Sequence, residues 1–239
     1  MSRRDQPVAI SDVGIRIFFS QLAILDGNDF YSHHRRVAIC ILREFTKGIF
    51  QSNFNRYGLD FSILGDDGNL REMSDDEKEK NYDFHFTDVK KFYTHETSVY
   101  APADGEIVEV VNDLEDLYET TFDVNTALAN NKIKELAGNY IVIKHSDYEY
   151  SHLYHLLKES CMVKQGDFVR RDQDIAKVGF SGASNIYSHL HYQFMDGSDM
   201  LNARELPVKF SNIIIWKGSE KKIYKEVVIN TGDILQRNK

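Results

Sequence analysis

The stretch SGASNIYSHLHYQF, residues 181–194, decides the fold of this chain. Polar and apolar residues alternate through its second half, which is typical of a β-strand. Side chains two apart on a strand project from the same face, so His189 and His191 are expected to lie side by side, with Leu190 turned into the core. Two neighbouring imidazoles can bind a metal ion together, or one can bind it while the other transfers protons.

Length and charge limit the classes of function. The 239 residues are enough for one substantial domain, with or without an appendage. With 37 acidic against 29 basic residues, the net charge of −8 argues against nucleic acid as the main partner. No apolar run reaches transmembrane length, and residues 1–13 lack the apolar core of a signal peptide. These observations leave three expectations open: a cytoplasmic protein, one that leaves the cell by another route, or one of the cell envelope or secreted whose leader has been removed.

The N-terminal part predicts a small helical appendage at residues 1–52. Apolar residues recur at three- and four-residue spacing over Val13–Leu25 and Arg36–Phe50, which predicts two helices. His33 and His34 stand at the start of the second helix, where a surface position is the default expectation.

The rest of the chain, residues 53–239, predicts a strand-rich domain with a polar insertion at 65–98. Strand patterns with turn residues between them recur at short intervals, which indicates a sandwich or barrel-like sheet. The predicted strands cover Ser98–Val111 (two strands around a turn), Gly138–His145, Tyr150–Leu156, Val163–Val169, Asp174–Val178 and the strand of His189 and His191. Near residue 60, apolar side chains alternate with Gly58, Asp60 and Ser62. This pattern makes Asp60 either an exposed strand residue or a ligand.

Four blocks in order carry a family resemblance: VYAPADGEIVEV, GNYIVIKHSDYEYSHLYHL, VKQGDFVRRDQDIAKVGFSGAS and SHLHYQF. Together they resemble the lysostaphin-type (LytM-like) zinc metalloendopeptidases, which cut peptide bonds in bacterial peptidoglycan. The resemblance covers residues 53 to about 210, interrupted by the insertion. It implies a mainly β fold with an antiparallel sheet and a groove, zinc as the cofactor, and a peptidoglycan peptide or another peptide as the substrate.

The resemblance also implies roles for single residues. Asp60 and His191 match metal ligands, and His189 matches a catalytic histidine beside the attacking water. His155 matches the second catalytic histidine, with His152 as the alternative. The two lie three apart along a strand, so both cannot face the site.

One position departs from the family pattern. Arg56 stands four residues before Asp60, where the family has a histidine ligand, and a guanidinium cannot bind zinc because it stays protonated. His33, His34, His85 and His95 are the candidates for the third ligand. Two functions therefore stay open: a zinc metalloendopeptidase, or a metal-free LytM-like module that binds peptidoglycan or regulates a partner hydrolase.

Overall fold

Strands dominate the computed structural model, which describes residues 8–9, 21–27, 29, 32–34, 54–74, 88–184, 187–217 and 219–237. The strands are β1 (Val8–Ala9), β2 (Gln21–Asp26), β3 (Leu59–Leu64), β4 (Ser98–Tyr100), β5 (Gly105–Val111), β6 (Asn139–Ser146), β7 (Glu149–Leu156), β8 (Phe168–Val169), β9 (Asp174–Lys177), β10 (Leu190–Met195), β11 (Val208–Lys217), β12 (Glu220–Val227) and β13 (Ile234–Arg237). A short helix, α1, covers Val124–Ala129 and is capped by the Asp123 side chain. The predicted fold class, mainly β with a large antiparallel sheet, is confirmed.

Most strands join one large sheet. Its order is β1-β11-β13-β2-β3-β10-β7-β6-β5-β8, with β12 also paired to β11, while β4 and β9 form a separate pair. All pairings are antiparallel except that of β1 with β11. Strands β3, β10 and β7 lie next to one another near the middle of this sheet, and they carry the residues that the sequence singles out.

The two faces of these central strands differ sharply. Leu59, Phe61 and Leu190 belong to the larger hydrophobic core on one face. Asp60 and His191 alternate with them and therefore project from the other face, beside a second hydrophobic cluster that contains Tyr154. The prediction that Leu190 is a core residue is confirmed.

The N-terminal prediction needs a correction. Gln21–Asp26 form strand β2, which pairs with β3 and β13, so the helix predicted over Val13–Leu25 is wrong for residues 21–25. The reason is tertiary: the central sheet supplies a pairing partner on each side of this apolar segment, which outweighs its helical spacing. His33 and His34 are helical, as predicted, but the predicted helix Arg36–Phe50 lies outside the described residues. The domain boundary at residue 52 stays a prediction.

The polar insertion is partly folded against the domain. Its described residues include a single 3₁₀ turn at Val89–Lys91, and Val89 and Phe92 pack on Phe180. Arg71 pairs with Phe92, which ties the two described ends of the insertion together. In the described part of the chain, no helix has both the length and the apolar character needed to cross a membrane.

Candidate metal centre and active site

The register of three strands builds the centre of the site. Asp60 on β3 lies directly opposite His191 on β10, and His191 lies opposite Tyr154 on β7. His191 Nδ1 is 2.8 Å from Asp60 Oδ1, and the Tyr154 ring stacks on the imidazole with 5.5 Å between centroids and 2° between planes. Both Asp60 and His191 are buried. Neighbouring backbone pairs therefore fix the position of a buried carboxylate and a buried imidazole.

His34 completes this group from a distant part of the sequence. Its Nε2 lies 2.9 Å from Asp60 Oδ2, and its ring meets the His191 ring edge-on at 4.7 Å. The surface position expected for His34 is wrong, since only 13% of its side chain is exposed. The sequence includes His34 among four candidates for the third ligand, and the structure describes this histidine within hydrogen-bond distance of Asp60.

The chain between β2 and His34 explains how this histidine reaches the site. The β2–β3 register sets Asp26 beside Asp60, and the Asp26 carboxylate then accepts a hydrogen bond from the His33 backbone N–H. Gly27 packs against residues 230–231, where a Cβ would lie 2.4 Å from backbone atoms. Gly27 is therefore required for this close approach, and the hydrogen bond from His33 to Asp26 helps to hold His34 beside Asp60.

His155 and His189 form the second half of the site. Their rings lie 4.9 Å apart, and the His155 ring lies 5.8 Å from that of His191. His155, the second-last residue of β7, has φ of +62°, which breaks the strand alternation and allows both Tyr154 and His155 to approach His191. The Nδ1 of His155 faces the Ser181 carbonyl at 2.9 Å, and that of His189 faces the Tyr187 carbonyl at 2.9 Å. Each Nδ1–H therefore donates to a carbonyl, which leaves Nε2 as the nitrogen available for chemistry, and that of His189 lies 3.4 Å from Asp60 Oδ1.

Other candidate residues lie outside the cluster. His152 Nε2 contacts the Gly197 carbonyl and its Nδ1 contacts the Tyr154 hydroxyl, so both ring nitrogens of His152 have hydrogen-bond partners outside the cluster. His95 contacts the Tyr118 hydroxyl instead of the cluster, whereas His33 is exposed, with 5.6 Å between its ring centroid and that of His34. Arg56 is exposed, with its guanidinium over the Tyr57 ring. His85 lies outside the described residues.

Sequence reasoning missed two residues that contact the cluster. The Tyr187 hydroxyl donates to Asp60 Oδ2 at 3.2 Å, and the Asn55 side chain contacts His34 Nδ1 at 2.7 Å. Tyr187 lies two residues before His189, so its place in the sequence was a usable signal. Asn55 has no comparable signal, because its role depends on where His34 lies.

The electrostatics of the site centre on Asp60. Burial acts to raise the pKa of its carboxyl group, but the charges of His189 and His34 and two histidine hydrogen bonds hold that pKa well below its usual range. Burial also acts to lower the pKa of His34, yet the carboxylates of Asp60 and Asp26 outweigh it and raise this pKa to about 9. Burial lowers the pKa of His155 and of His191. Without a metal, the charge of Asp60 is therefore balanced by a proton on a neighbouring imidazole.

Three groups of side chains have donor atoms close enough together for a metal ion. His34, Asp60 and His191 form the first, His155, His189 and His191 form the second, and Asp26, His33 and His34 form the third, in which His33 is exposed. In the second group, His155 and His189 each donate Nδ1–H to a carbonyl, and the group contains no carboxylate. The first group offers two nitrogens and one carboxylate oxygen, whose charge offsets that of a buried divalent cation. The residues present therefore fit a zinc ion, and the first group fits it better.

Two histidines and one aspartate that meet at the surface of an antiparallel sheet are the kind of ligand set found in catalytic zinc sites. Residues 87–203 match the family model of Peptidase family M23. This match confirms the resemblance predicted from the four sequence blocks. The matched segment includes His155, His189 and His191 but ends short of Asp60 and His34 on the N-terminal side.

Several solved structures are similar to part of this chain. The catalytic domain of the antimicrobial peptidase lysostaphin from Staphylococcus simulans is 21% identical, with 62% of this chain and 74% of that chain covered and a TM-score of 0.36. LytU is 24% identical, covering 46% of this chain and 62% of that chain at a TM-score of 0.33. The catalytic domain of a mutant of the prophage-encoded M23 protein EnpA from Enterococcus faecalis is 18% identical, covering 61% and 92% at a TM-score of 0.33.

At TM-scores this low, the likeness says nothing about the chemistry of the present site. No curated protein matches the sequence significantly. The arrangement of the site therefore depends on this chain's own residues.

Proposed function

We propose that this chain is a zinc-dependent endopeptidase that cleaves a peptide bond, with the peptides of bacterial peptidoglycan as its substrate class. The observation that carries this proposal is the buried group of His34, Asp60 and His191, which brings a second histidine to Asp60 despite Arg56. His34 takes the place of the ligand that the family pattern has four residues before Asp60. The match of residues 87–203 to a peptidase family model supports the reaction class.

His34 Nε2, one carboxylate oxygen of Asp60 and His191 Nδ1 would hold the zinc ion. The ion would lower the pKa of a water molecule and polarise the scissile carbonyl group. Asp60 contributes the negative charge that the buried cation needs, and its β-sheet register with His191 keeps the two ligands in place.

His155 and His189 supply the proton chemistry. Since each donates its Nδ1–H to a carbonyl, each presents Nε2 as the active nitrogen. One imidazole removes a proton from the attacking water and later delivers it to the leaving amine. The other, when protonated, donates a hydrogen bond to the carbonyl oxygen as negative charge develops there. The low pKa of His155 favours the neutral form and hence the role of the base.

The alternative function, a metal-free module that binds peptidoglycan or regulates a hydrolase, depends on a missing ligand. In the sequence, Arg56 supports that alternative because it stands where the family has a histidine ligand. The position of His34 beside Asp60 offers a histidine in its place. No structural observation in the described part of the chain favours this alternative.

A two-part experiment tests the proposal. The zinc content of the purified protein is measured, and the release of new amino groups from purified peptidoglycan is followed with and without zinc. We expect about one zinc per chain and zinc-dependent release that the His189→Ala variant loses. A protein that holds zinc but cleaves neither peptidoglycan nor a mixed peptide library is not this peptidase, and a protein that takes up no zinc fits the metal-free module.

A further inference from the structure

The side chain of Asn55 lies directly behind His34, the candidate third ligand. The Asn55 side-chain nitrogen lies 2.7 Å from His34 Nδ1, on the far side of the ring from Asp60. The Asn55 Oδ1 atom is buried and has no hydrogen-bond partner among the described residues. A buried amide oxygen without a partner is unusual and calls for a ligand, a proton or a rearrangement to satisfy it.

The chemistry of a histidine ligand specifies that rearrangement. A neutral imidazole that binds a metal through Nε2 must carry its proton on Nδ1, and that proton needs an acceptor. An amide nitrogen cannot accept it, whereas the amide oxygen can. A half-turn of the Asn55 amide exchanges the two atoms. This rotation of the amide breaks no hydrogen bond of Oδ1. The only hydrogen bond of Nδ2 among the described residues is the one to His34.

We propose that Asn55 is a positioning residue for the metal site: its Oδ1 accepts a hydrogen bond from His34 Nδ1–H and so directs the His34 Nε2 lone pair toward Asp60 and His191. This inference rests on the proposed zinc site, and it adds to that site the residue that selects the tautomer and ring orientation of His34. Such partners behind a ligand commonly matter tenfold to a hundredfold in metal affinity.

The backbone around Asn55 is built to hold this side chain in place. Asn55 has φ of +64°, a left-handed conformation that asparagine tolerates better than most residues. A Cβ on Gly58 would lie 2.6 Å from Asn55 Oδ1 and 2.9 Å from His191 Cε1, so only glycine allows both to approach. The Tyr57 backbone N–H donates to the Glu205 carboxylate at 2.7 Å, and the Phe54 side chain is buried in the second hydrophobic cluster. The loop is therefore anchored on both sides of Asn55.

Substitutions at this position separate the hydrogen bond from the backbone conformation. Asn55→Gly removes the side chain and still tolerates positive φ, while Asn55→Asp keeps an acceptor oxygen in a residue that also tolerates it. Zinc affinity is measured by competition with a chromophoric chelator. We expect Asn55→Gly to bind zinc 10- to 100-fold more weakly and Asn55→Asp to bind within about threefold of the wild type or more tightly. Arg56→Ala, an exposed neighbour on the same loop, is the matched control and should bind like the wild type.

A second measurement needs no variant. Nitrogen-15 NMR of the histidine rings in the zinc-loaded wild-type protein should show His34 protonated at Nδ1, with that proton protected from exchange. An unprotonated His34 Nδ1, or Asn55→Gly that binds zinc within threefold of the wild type, overturns the role of Asn55. If the wild-type protein binds no zinc at all, the proposed zinc site itself fails, so the two failures are distinct.

Discussion

Asp60 and His191 lie directly opposite each other on β3 and β10, with His191 Nδ1 2.8 Å from Asp60 Oδ1. A one-residue slip between these strands would turn Asp60 into the hydrophobic core and Leu59 onto the site face. The packing of the core residues on one face of the sheet therefore fixes the positions of Asp60 and His191, the candidate ligands, on the other face. The geometry of the candidate metal site is thus a consequence of the packing of the sheet.

The two histidines of the second half should affect catalysis more than metal binding. His155→Ala and His189→Ala are each expected to lower the rate of peptide cleavage by about 10² to 10⁴, because each removes a proton donor or acceptor. Zinc affinity should stay within about threefold of the wild type. Parallel cleavage assays and chelator competition check this. A variant that loses zinc as well would assign its histidine to the metal, as the group of His155, His189 and His191 allows.

The raised pKa of His34 predicts how the metal-free protein depends on pH. That pKa is about 9 in the folded protein against 6.5 for the free side chain, so folding takes up a proton. The resulting stabilisation is fully present below pH 6.5 and is lost as the pH rises through about 9. We expect the free energy of unfolding to fall by about 1 to 3 kcal/mol over this range. Urea unfolding in the presence of a chelator measures it.

His34→Gln is the control for that titration. Glutamine keeps a hydrogen-bond donor near Asp60 but cannot titrate, so this variant should show a flatter pH profile between 6.5 and 9. An identical slope in both proteins would mean that another group takes up the proton. Glu205, whose pKa burial raises from 4.5 to about 7, has the same sign, but the stability that its proton uptake adds is lost over a lower range, as the pH rises through about 7.

Gly58 should be intolerant of a side chain. Gly58→Ala places a methyl group within 2.6 Å of Asn55 Oδ1 and 2.9 Å of His191 Cε1, which forces one of them to move. We expect a loss of about 1 to 3 kcal/mol in stability and roughly tenfold weaker zinc binding. Gly197→Ala is the comparison, because its added methyl would meet only the Ala203 methyl at 3.3 Å. Equal effects of the two substitutions would argue against a special fit at Gly58.

Much of the fold and half of the site are predictable from the sequence, for identifiable reasons. The strand of His189 and His191 has period-two alternation, and the place of Leu190 in the core follows from it directly. His155 is recognisable because it stands near the end of a strand of the same family block. These signals are local, and the family match at residues 87–203 covers all three histidines.

The rest of the site depends on contacts between distant segments. His34 reaches Asp60 only because β2 pairs with β3 and Gly27 packs against residues 230–231. The apolar spacing of the N-terminal segment predicts helix, whereas the sheet imposes a strand at Gln21–Asp26. No sequence pattern within residues 1–52 indicates that pairing. The sequence therefore predicts a surface position for His34, which is wrong.

The measurement that tests the central claim most directly is the zinc affinity of the wild-type protein beside that of His34→Ala, with Arg56→Ala as the control. We predict about one zinc per chain in the wild type, a loss of affinity of about 100-fold or more in His34→Ala, and no change in Arg56→Ala. A His34→Ala variant that binds zinc as tightly as the wild type would contradict the assignment of His34 as the third ligand.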